Sequence, residues 1–333
     1  MKTSLITVVL LLILSECYSQ NLKKDAYVVM NSPELLEIIP DVVKVEILAE
    51  GFEWTEGPLW LENQNKLIFS DIPKNAIYEW TEKEGVKLYL KPAGYTSEKK
   101  RGGQTGSNGL LLNSKNDLIL CQHGDRRMAK MNAKLSNPKA VFETLSGNYQ
   151  GKKLNSPNDA VYHKNGELYF TDPPYGLEFR MEDSSKELDF QGVYKIDKSG
   201  NTILLTDELT RPNGIAFSPD QSKLYVANSD PGKAIWMVYD LTKNGLLENG
   251  KIFFDVTDRT KTQKGLPDGI KVHPNGWIFA TGPGGVLIFT PEGEHLGTIG
   301  TNEATANCAF NSDYSELFIT ADDYLLRIKL IVE

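Results

Sequence analysis

Six short phrases in this chain place an oxygen-bearing side chain immediately ahead of an apolar strand. They are Glu56-Gly57-Pro-Leu-Trp, Asn108-Gly109-Leu-Leu-Leu, Asn158-Asp159-Ala-Val-Tyr, Asn213-Gly214-Ile-Ala-Phe, Asp268-Gly269-Ile-Lys-Val and Asn307-Cys308-Ala-Phe. The leading residues are only carboxylates and amides, with no His or Cys, a donor set suited to hard cations such as calcium or magnesium. A single Asn-Gly is ordinary turn chemistry, because both residues tolerate positive φ. Turn chemistry does not explain Glu56 or Asp268, nor the lack of Ser and Lys at the same place. The six are therefore read as a metal or substrate ring.

The elements that must position such a ring are also legible. A polar turn and a second apolar strand follow each phrase, ending at Asp71, His123, Asp172, Asn228, Thr281 and Asp322. Outer strands come next, for example Ala76-Ile-Tyr-Glu-Trp80 with Val86-Lys-Leu-Tyr-Leu90. The second residue of the phrase recurs at 57, 109, 159, 214, 269 and 308. A period near fifty with four short strands per unit marks a β-propeller blade. The predicted fold is all-β, a six-bladed β-propeller. Radial repetition brings Glu56, Asn108, Asn158, Asn213, Asp268 and Asn307 to one height around a central channel. The sixth unit ends without a fourth strand, and the alternating segment 42–48 supplies it, so that an N-terminal strand closes the last blade.

Strands one and two run in opposite directions, so Asp71, His123, Asp172, Asn228 and Asp322 are expected to return as a second polar tier at the channel mouth. His123 is the one histidine in that tier, suited to hydrogen bonding or proton transfer. Long insertions at 91–107, 173–191 and 257–267 belong to the same face and shape a pocket there.

The chain has 333 residues and a net charge of −8, which argues against nucleic acid and anionic membrane surfaces and leaves small-molecule chemistry or a soluble partner, as a monomer or dimer. Residues 1–19 read as a secretory signal peptide cleaved after Ser19, residues 20–41 as a loose leader, and residues 42–333 as the propeller. The apolar run at the N-terminus is too short for a membrane span, and the expected location is secreted or periplasmic. Cys121 and Cys308 are expected as buried free thiols in different blades. There is no zinc-ligand spacing and no Gly-x-Ser-x-Gly elbow.

Several motifs carry a family resemblance: Leu154-Asn-Ser-Pro-Asn-Asp159, Tyr169-Phe-Thr-Asp-Pro-Pro-Tyr-Gly-Leu177, Cys121-Gln-His-Gly-Asp-Arg-Arg127, Arg211-Pro-Asn-Gly214, Leu266-Pro-Asp-Gly269 and Glu56-Gly-Pro-Leu-Trp60. Taken in order, they resemble the gluconolactonase family, the bacterial branch of the group that includes regucalcin (senescence marker protein). The resemblance spans about 50 to 330. It implies a six-bladed propeller that hydrolyses sugar lactones, such as glucono-1,5-lactone, to aldonic acids with one divalent cation: calcium first, with magnesium, manganese or zinc as alternatives. Carried over residue by residue, it implies metal ligands at Glu56, Asn213 and Asp268, with Asn158 beside them as ligand or substrate contact, and Asp268 as general base. Asn108, His123 and Tyr175 are implied as substrate contacts. Where the animal proteins have an arginine, this chain has Ser156, so no substrate contact transfers from that position. Two rival functions share the scaffold: a binding propeller with a structural metal, and an arylesterase-like hydrolase.

Overall fold

A computed structural model describes residues 27–40 and 43–332, and folds them almost wholly into antiparallel strands. The apolar runs are short and separated by tight polar turns, so each strand pairs with the next one in the chain. The first blade is Thr55–Leu61, Lys66–Asp71, Ala76–Thr81 and Gly85–Leu90. The second begins at Ser107–Leu112, the third at Ala160–Tyr162, the fourth at Pro212–Phe217, the fifth at Ile270–Val272 and the sixth at Thr305–Phe310. The first strands of successive blades touch one another around a common axis, which is the expected six-bladed propeller. Among the described residues, helix is confined to four short 3-10 turns.

Strand alternation explains how the blades hold together. Successive side chains point to opposite faces of a sheet. Leu67 and Phe69 of the first blade pack against Phe318 and Leu325 of the sixth. Their neighbour Ile68 turns the other way, onto Leu110 and Leu120 of the second. The core is thus a ring of apolar layers between blades, and polar groups are left for the axis and the rim.

Closure follows the expected route. Glu46–Glu50 pairs antiparallel with Tyr324–Lys329 as the outer strand of the sixth blade, a few residues later than the segment expected. Arg327 fastens the seam, with ion pairs to Glu46 at 2.6 Å, Glu82 at 2.7 Å and Glu316 at 3.0 Å.

The loose leader is corrected over residues 27–40. Tyr27–Met30 adds a fifth strand to the fifth blade by pairing with His295–Gly300. Leu35 and Ile39 of the following turn are fully buried against Trp277, Phe279 and Leu317. The signal-peptide segment and residues 20–26 lie outside the described residues.

Candidate active site

The repeated phrase owes its glycines to crowding at the axis. A Cβ on Gly57 would lie 2.1 Å from the carbonyl oxygen of Asn108, and one on Gly214 would lie 2.0 Å from that of Asp268. Only a residue without a side chain lets adjacent inner strands approach so closely. The backbone records the same contact: Gly109 N–H donates to the Asn158 carbonyl at 2.8 Å, and Gly214 N–H to the Asp268 carbonyl at 3.1 Å. The side chains ahead of these positions line the channel.

That channel opens into a cavity of about 600 Å3. Glu56, Asn108, Asn158, Asn213, Asp268 and Tyr175 all stand on its wall, so five of the six ring residues and the tyrosine converge as expected. Each long loop also contributes: Gln104 from 91–107, Tyr175 and Arg180 from 173–191, Gln263 and Lys264 from 257–267. Arg101 ties the first two loops together, donating to the Gly176 carbonyl at 2.8 Å.

Asn307 is corrected by one register. Gly269 N–H donates to the carbonyl of Ala306, the same contact that Gly214 makes with Asp268, so Ala306 is the sixth blade's equivalent of Asp268. Asn307 lies one residue deeper, level with Asp159. Both side chains take the N–H of the residue that follows, Ala160 to Asp159 at 2.8 Å and Cys308 to Asn307 at 2.9 Å. The ring is therefore five oxygen-bearing side chains and an alanine.

Histidine 123 is also corrected. Its side chain is fully buried at 0% exposure, absent from the cavity wall, and set against the positions of Gly176 and Ser156. Strand pairing explains this. Gln122, not His123, stands opposite Ser107 as Asp71 stands opposite Thr55. Burial pushes the imidazole pKa down to about 3, so the ring is neutral and does not titrate near pH 7. Asp322 likewise sits one residue past the equivalent position, which is Ala321.

The rest of the second tier does not line the mouth but fastens its walls. The Asp71 carboxylate accepts the Glu53 and Trp54 N–H groups at 3.2 Å each, and Asp172 accepts those of Asn155 and Ser156 at 2.7 Å. Asn228 accepts the Arg211 N–H at 2.8 Å. Each pin holds the chain two or three residues before Glu56, Asn158 or Asn213.

Two carboxylates dominate the electrostatics. Burial pushes Asp268 well above the usual carboxylate range, reinforced by the charges of Glu56 and Asp159. Burial also raises Glu56, against the opposing hydrogen bond from Gly57 N–H at 2.9 Å. Both stand on the same cavity wall, where the charge of Glu56 adds to the rise of Asp268. Asp268 is only partly exposed to the cavity, and its Oδ1 is enclosed without a hydrogen-bond partner, as is Asn108 Oδ1. Asn213 uses its amide nitrogen on Ser229 Oγ at 2.9 Å, which frees its oxygen for the channel. Orphaned oxygens around a pair of unneutralised carboxylates fit a divalent cation. Among the described residues no cluster of three or more His, Cys, Asp or Glu has metal-holding geometry, so such a site depends on amide oxygens.

Sequence reading missed Ser229 and Arg180. Ser229 directly follows Asn228, and its bond to Asn213 was implicit in that neighbour. Arg180 carries no spacing signal. Its guanidinium stands 5.9 Å from the Tyr175 ring on a backbone with φ of 52°.

Comparison with known proteins agrees with this architecture. The family model described as SMP-30/Gluconolactonase/LRE-like region matches residues 54–323. A gluconolactonase of Zymomonas mobilis is 38% identical over 304 residues, covering 90% of this chain and 84% of that protein. The solved gluconolactonase of Xanthomonas campestris superimposes with a TM-score of 0.78 at 29% identity, covering 92% of this chain and 97% of the other. A calcium-binding protein, regucalcin, from Agrobacterium tumefaciens shares the fold, with a TM-score of 0.66 at 18% identity over 86% of this chain and 94% of its own.

Proposed function

The chain belongs to the SMP-30/gluconolactonase/LRE-like family and is a lactone-hydrolysing enzyme, and on that premise we propose that it opens aldonolactones such as glucono-1,5-lactone with one divalent cation, calcium first. The observation that carries the metal is that Glu56 and Asp268 share one cavity wall with the amides of Asn158 and Asn213, with Asp268 Oδ1 left unpartnered.

Glu56, Asp268 and Asn213 would hold the cation, with Asn158 beside them. A divalent cation there supplies Lewis acidity, polarising a carbonyl and making a bound water more acidic. The protein's own part is positional. Asn108 and Asn158, on adjacent inner strands, offer amide hydrogen bonds to sugar hydroxyls from one side of the cavity. The Tyr175 hydroxyl, bonded to the Ser229 carbonyl at 3.3 Å, closes one wall. Asp268 takes the proton of the attacking water, a step that its raised affinity for protons favours. Ring opening leaves an aldonate anion and one proton, so no covalent enzyme intermediate is needed.

The test is hydrolysis of glucono-1,5-lactone by purified protein before and after chelation, with calcium, magnesium or manganese returned. Activity lost on chelation and restored by one of these ions is expected. Full activity in protein shown by elemental analysis to be metal-free would remove the cation. An aryl ester included in the same assay separates lactonase from arylesterase chemistry.

The same proposal takes residues 1–19 as an export signal and the enzyme as secreted or periplasmic. N-terminal sequencing of the exported protein should begin at Gln20. Recovery of intact Met1 from the cytoplasm would end that part of it.

A further inference from the structure

Behind Glu56, on the side away from the substrate cavity, the channel is crossed by the deeper layer that holds Asp159 and Asn307. Lys271, from the fifth blade's inner strand, reaches into it. Its ammonium donates to Asn307 Oδ1 at 3.0 Å and to the Ile270 carbonyl at 3.1 Å. The Cys308 N–H donates to the same Oδ1 at 2.9 Å. An ammonium and a backbone N–H are donors only, so the amide of Asn307 has its oxygen fixed toward them. That leaves the nitrogen as the end presented to Glu56, and Asn307 Nδ2 donates to Glu56 Oε2 at 3.3 Å. A flipped amide would face its nitrogen to two donors and its oxygen to a carboxylate.

The Gly57 N–H falls on that same Oε2 at 2.9 Å. One carboxylate oxygen is thereby anchored from behind by two donors. Lys271 itself does not touch the substrate cavity. It lines a separate cavity of about 460 Å3 at the other end of the channel, with Leu59, Leu111, Tyr162 and Phe310.

We propose that Lys271 is a positioning residue for lactone hydrolysis: acting through Asn307, it fixes the rotation of the Glu56 carboxylate and so sets the affinity of the site for its cation. The inference rests on the reading that Glu56 is a metal ligand. Outer partners of metal-binding carboxylates and imidazoles commonly change metal affinity by about 10–100-fold when removed.

Charge and positioning predict opposite signs here, which makes the idea testable. At a pH well above the raised Glu56 range, where protons no longer compete for its carboxylate, a Lys271 that acted only as a nearby positive charge would repel a divalent cation, and removing it would tighten binding. If it positions Glu56, removing it loosens the cation. The experiment is calorimetric titration of calcium into the chelator-treated full-length protein, with Tm of the metal-free protein measured alongside. Lys271→Met is expected to weaken calcium about tenfold or more while the metal-free Tm moves by only a few degrees. Asn307→Ala should give a similar loss, and the double variant little beyond either single one, because the two act in series. Lys271→Arg, which keeps a cationic donor, should recover part of the affinity.

Equal or tighter calcium binding by Lys271→Met, or additive losses in the double variant, would overturn the proposal while the wild type still binds. A wild type that takes up no cation sinks the reading of the site, and this inference with it. Should Lys271→Met fail to fold, unchanged calcium affinity in Asn307→Ala overturns the link on its own.

Discussion

At the scale of single residues, the proposed mechanism gives Asp268 two roles, holding a cation and accepting a proton, and the two are separable by substitution. Asparagine keeps an oxygen for the cation but has no carboxylate to protonate. Asp268→Asn is expected to lower kcat for aldonolactones by a factor of about 10² to 10⁴, the range for loss of a general base, with cation uptake retained. A loss smaller than about tenfold would remove Asp268 from the base role. The raised carboxylates also give a pH dependence. Because Glu56 and Asp268 hold protons more tightly in the folded chain than when unfolded, the metal-free fold loses stability as pH rises through and above the ordinary carboxylate range. A cation competes with those protons. Calcium at about a hundred times its pH 8 Kd should therefore raise Tm by about 5 °C at pH 8, and the same concentration by much less at pH 5. A shift equal at both pH values would show that the cation does not bind at this pair.

Elements explain what single residues do not. The channel side chains ride on short loops entering each inner strand, and those loops are pinned by the ends of the second strands. In the third blade Asp172 is fully buried, and burial raises it to about 7 even though the Asn155 and Ser156 N–H groups oppose that shift. Removing its carboxylate strands two enclosed N–H groups just ahead of Asn158. Asp172→Ala is expected to cost about 2 kcal/mol in urea unfolding at pH 6 and to speed amide exchange at Asn155 and Ser156. Unchanged exchange there would mean that the loop is held by something else. Because Asp172 binds its proton more tightly when folded, its own contribution falls as pH rises from about 4 to about 7. The sequence made the repeat period, the five converging side chains and the function of the long loops readable, because these depend on residue type and spacing. It could not resolve register. Asn307 was aligned by its amide, whereas hydrogen bonding aligns Ala306 with Asp268. His123 was matched to Asp71 and Asp172, although Gln122 holds that place. Bulges shift the ladder in several inner strands, between Thr305 and Asn307 and between Ser107 and Leu110 among them, and a pattern of apolar residues does not register such one-residue slips. The Lys271 layer leaves no pattern in the sequence for a related reason, since its residues meet only across blades.

At the scale of the whole molecule, the ring is only as stable as its seam. Closure supplies the outer strand that the sixth blade otherwise lacks, and here the seam joins Glu46–Glu50 to Tyr324–Lys329 across almost the entire chain length. Residues 27–40 act elsewhere, extending the fifth blade and covering Trp277 and Phe279 with Leu35 and Ile39. Two N-terminal deletions therefore separate two effects. A chain beginning at residue 43 keeps the closing strand but loses the buried Leu35 and Ile39, each comparable to a large-to-small core change of about 2–5 kcal/mol, so its Tm should fall while it remains a closed, active propeller. A chain beginning at Gly51 also loses the outer strand of the sixth blade. Tyr324–Lys329 then presents an unpaired edge carrying Leu325 and Leu326, and Arg327 loses Glu46. That chain is expected to associate or precipitate, and light scattering coupled to size-exclusion chromatography will report it. If it instead stays monomeric with the Tm of the longer chain, the N-terminal strand is not what closes the ring, and the stability of the propeller must come from the apolar layers between blades alone.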